Sequence, residues 1–136
     1  MVLIGLSIPI LLLISSIAKA VMDVVDFKFE SSIFANIKSE KWRYWFCQDQ
    51  GWKNKYKDRD PEKGPAFLGS TTVFVWVTDA WHFFQMIQLT CYDLCIAICF
   101  VIFVGISFWY IPLIVILFKI WKGLIFEAFW SEVFIK

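Results

Sequence analysis

Basic residues are missing from the middle of this chain: between Lys63 and Lys119 there is no lysine or arginine. A bilayer helix needs about 20 apolar residues, so the gap leaves room for more than one crossing. Histidine is nearly absent too, with one copy, which argues against a His-rich metal site within a single chain. The six glycines form neither G-x-G-x-x-G nor a Walker loop, and the four cysteines make no C-x-x-C. H-E-x-x-H, G-x-S-x-G and internal repeats are also lacking. Net charge is almost nil, 13 basic against 12 acidic residues, so nothing draws the whole chain toward nucleic acid.

Apolar residues are abundant instead. They make up 60% of the 136 residues, aromatics alone 20%, and the mean hydropathy is +0.66. Soluble domains sit near ~45–50% apolar, and a chain this short has too little interior to hide the surplus. Lipid has to cover much of it. The composition therefore predicts an all-α integral membrane protein with about three transmembrane helices and interfacial amphipathic segments.

The expected spans follow from the apolar runs. Residues 2–18 carry no charge and would extend roughly 25 Å as a helix kinked at Pro9. Ala18, Lys19 and Ala20 also form an A-x-A-like cleavage signal, but no basic residue precedes the apolar run, so a retained helix is the expectation. Residues 71–89 and 94–118 are read as a helical hairpin turning around Thr90–Asp93, with Ser70 or Thr71 as N-cap and with tilt or a bend at Pro112 taking up the excess length of the second arm. The alternative lays residues 71–89 flat at the interface. An interfacial helix normally carries basic residues on its polar face, and this one has none.

Residues 19–69 hold ten of the thirteen Lys and Arg. Asp23, Asp26 and Glu30 at helical spacing suggest that the first helix runs on as an amphipathic one. Trp42, Arg43, Trp45, Trp52, Lys53 and Lys55 combine aromatic rings with positive charge, the chemistry of the lipid headgroup zone. Residues 58–70, punctuated by Pro61, Gly64, Pro65 and Gly69, read as loop. Residues 119–136, with Lys119, Trp121, Lys122, Glu127 and Trp130, are expected to form an interfacial helix or the anchoring end of the last span. The positive-inside rule then places residues 19–69 and the C-terminus in the cytoplasm.

One polar cluster stands out. Thr71, Thr78, Asp79, His82 and Gln85 would form a stripe on the second helix, with Asp79 and His82 near mid-bilayer. An ionisable group there costs at least ~2.5–3.5 kcal/mol on insertion scales and calls for a partner. His82, at i+3, is that partner for Asp79, and Gly105 and Ser107 are expected to receive the stripe. The pair is either a clamp between helices or the heart of a proton, substrate or metal site. Cys91, Cys95 and Cys99 share a helical face at i, i+4, i+8. Hairpin register puts Cys95 too far from His82 to share a metal, so packing is the expectation, with a Cys91 disulfide to another chain as the alternative. Cys47 should be a free thiol. No cofactor and no catalytic residue is assigned beyond the candidates Asp79 and His82.

The run from Trp52 to Gln85, in which W-K-N-K is followed by G-S-[ST]-T, an apolar stretch and T-D-x-W-H, resembles a pattern in small bacterial integral membrane proteins without an assigned activity. It covers about a quarter of the chain. The resemblance implies a bacterial inner-membrane setting and nothing about reaction type. An accessory or scaffold protein packing against partner membrane subunits or copies of itself is the leading expectation. The alternatives are a membrane enzyme, carrier or proton path using Asp79 and His82, and a toxin or defence effector that perturbs the membrane. Lipids are expected contacts, and nucleic acid is not.

Overall fold

The computed structural model of the chain describes residues 2–129. Five α-helices account for most of them: α1 (Val2–Phe27), α2 (Glu40–Phe46), α3 (Gln48–Gly51), α4 (Ala80–Val104) and α5 (Ile111–Phe129). Short 3-10 turns fill the stretch from Phe29 to Val77, and no strand forms among the described residues beyond one isolated bridge, Tyr56 to Pro65. Three helical segments are long and apolar enough to cross a membrane: Ser7–Phe27, Ala80–Val104 and Phe108–Phe126. This is the all-helical, multi-pass chain expected from composition, but the second and third spans fall in other places than the sequence reading put them.

The expected turn at Thr90–Asp93 does not exist. Those residues lie inside α4, which has no glycine or proline to interrupt it. Nor are residues 71–79 helical; they form turns and a 3-10 segment over Val75–Val77. Thr71, Thr72, Val73, Val75, Val77 and Thr78 are β-branched and lose side-chain freedom in a helix, so the chain stays irregular until Asp79. There the carboxylate Oδ1 accepts the backbone N–H of His82 at 3.0 Å, and the Asp79 carbonyl accepts the first helical bond from Phe83 at 3.1 Å. Asp79 is thus the N-cap of α4, in place of the expected Ser70 or Thr71.

The break comes at Gly105, in the middle of the expected third span. Its φ of +74 is the left-handed conformation that commonly closes helices, and it is open to glycine at little cost. Ser107 is extended, Phe108–Tyr110 make a 3-10 turn, and α5 starts at Ile111. Pro112 bends nothing, because it sits in the first turn of α5, where its missing N–H has no intrahelical partner to lose. Residues 119–129 continue α5 and form no separate interfacial helix. Residues 130–136, with Trp130, are outside the described part of the chain.

By its contacts the chain divides into two compact units, Leu13–Leu89 on one hand and Met1–Leu12 with Thr90–Lys136 on the other. In the second unit α4 and α5 pack through Ala97, Val101, Ile114 and Val115, flanked by Leu94, Ile111 and Phe118. In the first, α1 runs past Ala18 to Phe27 and buries a stripe of Ser15, Ala18, Met22 and Val25 at helical spacing. The rest of that unit is an aromatic knot. Trp45 meets Trp42, Phe46 and Phe83 at ring separations of 5.0–5.8 Å, and Phe34 stacks on Phe46 at 4.5 Å.

Candidate functional sites

The first site surrounds Asp79, whose side chain is almost completely removed from solvent. Its Oδ2 lies 2.7 Å from His82 Nδ1. In this contact Nδ1 is read as the donor and the carboxylate oxygen as the acceptor. The Thr78 hydroxyl has one proton for two acceptors, the Val75 carbonyl at 2.7 Å and Asp79 Oδ2 at 3.1 Å. Asp79 and His82 therefore pair as the spacing suggested, but at the first turn of a candidate span rather than at its middle.

Three distant pieces of sequence build this corner. Asn54 Nδ2 donates to the Thr78 carbonyl at 2.9 Å, and Trp45 Nε1 donates to the Val77 carbonyl at 3.2 Å. The buried Ser70 hydroxyl donates to the Lys55 carbonyl at 2.7 Å, just after Gly69 turns the chain at φ +79. The W-K-N-K, G-S-[ST]-T and T-D-x-W-H segments thus lock one another through side-chain to backbone bonds, each satisfying a backbone carbonyl. Gly51 completes the packing. A Cβ there would stand 3.0 Å from the carbonyl oxygens of Tyr44 and Trp45 and 3.3 Å from the Asp79 Cβ. Gly51→Ala is expected to lower stability by about 1–3 kcal/mol through overpacking, read as a lower thermal midpoint in detergent.

The other members of the expected stripe scatter. Thr71 lies in the turns before α4, Gln85 is partly buried one turn beyond His82, and Gly105 and Ser107 follow the far end of the helix, so they do not receive Asp79. The expected headgroup residues also divide. Trp52 Nε1 donates to the Asp49 carbonyl, and the ammonium groups of Lys53 and Lys55 lie 5.8 Å from the Trp52 ring centre. Arg43 and Trp42 are on α2, and Trp121 is exposed on α5. Cys47 follows α2, and burial pushes its thiol above the ordinary value of 9.0. Its thiolate is accordingly scarce at neutral pH, and alkylation of Cys47, followed on its own peptide, should reach half its maximal rate only above pH 9.

The second site was not foreseen from the sequence. Asp93, expected in a turn, is the fourteenth of the 25 residues of α4 and its side chain is 1% exposed. Lys122 Nζ donates to its Oδ1, Lys119 Nζ stands 3.5 Å from its Oδ2, and Lys119 also donates to the Thr90 hydroxyl at 2.9 Å. Lys119 and Lys122 are near the middle of α5, so they pair within a helical hairpin and do not mark the end of a span. They no longer count as loop charges, and the orientation argument keeps only the basic residues of the segment before α4. The signal was present in the sequence as one acid and two lysines on helices joined at Gly105.

All four cysteines are free thiols, and no three His, Cys, Asp or Glu side chains gather to hold a metal ion among the described residues. Neither a family model, a curated protein nor a solved structure matches the chain.

Proposed function

We propose that this chain is an accessory or scaffold subunit of a bacterial inner membrane, completed by helices of partner membrane proteins or of further copies of itself. The observation that supports it is α5. Only 6% of its apolar window is buried within the chain, and the same helix brings two half-exposed lysines to a single buried acid. That leaves one positive charge in excess beside lipid, where an ionisable group is costly unless protein or trapped water covers it. A neighbouring helix with an acid or several polar groups supplies that cover, and close packing and hydrogen bonds hold helices together in lipid. Asp79 fits this reading as a clamp, because both of its oxygens are engaged in capping α4 and orienting His82.

The test is cross-linking in native membranes, with single cysteines at Leu113, Ile116, Leu117 or Ile120 in a background without the natural four. Cross-linked species confined to one face of α5 are the expected result. A monomer at every position, with no copurifying chain in mild detergent, would remove the assembly reading.

A second reading, a proton or ion path, is favoured by Asp93, an acid at the centre of a candidate span whose Oδ2 has the Lys119 ammonium at 3.5 Å but accepts no hydrogen bond among the described residues. It predicts that a variant restored to full abundance without the three charges stays inactive.

A further inference from the structure

Within the unit Leu13–Leu89 there is an open cleft of about 350 Å³ lined by Lys41, Trp42, Trp45, Asn54, Arg59, Phe67, Val77 and Thr78. Its chemistry is one-sided. Two cations line it and no acid does, and neither Lys41 nor Arg59 has a carboxylate at ion-pair distance among the described residues. The Trp45 indole N–H is already spent on the Val77 carbonyl and one of the two Asn54 amide N–H groups on the Thr78 carbonyl, so Trp45 acts as a wall. Trp42, Phe67 and Val77 add exposed apolar surface.

Arg59 is held in place by an unusual device. Asp58 and Arg59 both take positive φ, 54 and 62, a conformation that costs a residue with a side chain of order 1 kcal/mol or more. The turn is fixed by Lys57 N–H on the Gly64 carbonyl at 3.0 Å and by the Lys63–Asp58 ion pair at 3.1 Å. Its outcome is that the Arg59 guanidinium carbon lies over the Tyr44 ring, 3.7 Å from its centre. An arginine stacked this way keeps its donor fork pre-organised for an oxyanion.

We infer that this cleft binds the phosphate headgroup of an anionic phospholipid, with Arg59 and Lys41 on the phosphate and Trp42, Phe67 and Val77 against the glycerol and upper acyl chain. The place in the sequence supports a lipid over a soluble phosphate. Val77 and Thr78 immediately precede α4, which is long enough to span, so the cleft belongs to the residues at the end of a candidate span, where headgroups are. Basic residues near an anionic lipid surface contribute about 1 kcal/mol each, which is roughly a fivefold change in affinity per residue.

The experiment is native mass spectrometry of the full chain in detergent, titrated with phosphatidylglycerol or phosphatidylcholine. One phosphatidylglycerol is expected to be retained selectively, about fivefold more weakly after Lys41→Gln and again after Arg59→Gln, with Lys38→Gln, an exposed cation outside the cleft lining, unchanged as control. Lys41 is exposed and unpaired among the described residues, so Lys41→Gln tests the site without disturbing the stacked Arg59. Equal retention of the two lipids, or retention indifferent to Lys41→Gln, would overturn the proposal. So would displacement of the lipid by glycerol 3-phosphate at comparable concentration, which would make the ligand a soluble phosphate ester. The outcome is independent of whether α5 assembles with another chain.

Discussion

Replacing Asp93 with leucine should remove most of the protein from the membrane fraction. The carboxylate is buried and is the counter-charge of both Lys122 and Lys119. Removing one partner of a buried ion pair typically costs about 3–5 kcal/mol, because the remaining charge is left uncompensated. Here the lysines are 42% and 48% exposed near the middle of α5, where in a spanning helix that surface meets lipid or a neighbouring helix, so the cost falls within that range. The companion variant separates stability from function. Asp93→Leu combined with Lys119→Met and Lys122→Met removes all three charges, Met matching lysine in volume and Leu matching the branched shape of the carboxylate, and such replacements are often neutral or stabilising. Abundance should therefore return in the triple variant. If it does while cellular activity stays lost, the charges carry chemistry; if both return, they serve packing.

Asp79→Ala is the second large effect expected. It deletes the N-cap of α4, about 0.5–2 kcal/mol, and leaves His82 Nδ1 without its acceptor, about 1–3 kcal/mol more, while the Thr78 hydroxyl keeps the Val75 carbonyl. Asp79→Asn should be mild by comparison. An amide oxygen can still accept the His82 N–H, and the imidazole can change tautomer to accept from the amide nitrogen. The contrast is read as thermal midpoints in detergent together with abundance on a blot. A clamp gives a low midpoint for Asp79→Ala and a nearly unchanged one for Asp79→Asn. If Asp79→Asn is abundant yet inactive in its cellular assay, the pair moves a proton as well as capping the helix.

The helical class and the number of candidate spans were legible because they rest on quantities summed over many residues: apolar share, length of uncharged runs, and the absence of lysine and arginine between 63 and 119. The boundaries were not, because each turns on one or two residues. Gly105 is the sole glycine between Gly69 and Gly123, the strongest punctuation in that stretch, yet beside Ser107 it also matches a small-residue contact between helices. Thr90–Asp93 looked like a turn because aspartate and threonine favour turns. That preference is local, and Lys122, 29 residues away in sequence, reverses it by pairing with Asp93. The Asp79–His82 pairing was readable from i, i+3 spacing, whereas its depth depended on where the helix began. The β-branched run before Asp79 held that information. Arg59 gave no sign at all, since a left-handed arginine stacked on Tyr44 is a tertiary outcome.

Whether α4 crosses lipid from Ala80 to Val104, with Asp93 halfway, can be read from single cysteines introduced at Lys55, Tyr92 and Ser107 in a cysteine-free chain and exposed to an impermeant maleimide on intact and then opened cells. The expected pattern is labelling of residues 55 and 107 from opposite sides and protection of residue 92 from both. Ready labelling at residue 92, or residues 55 and 107 reacting from the same side, would contradict the single long crossing and with it the burial of the Asp93 charge cluster.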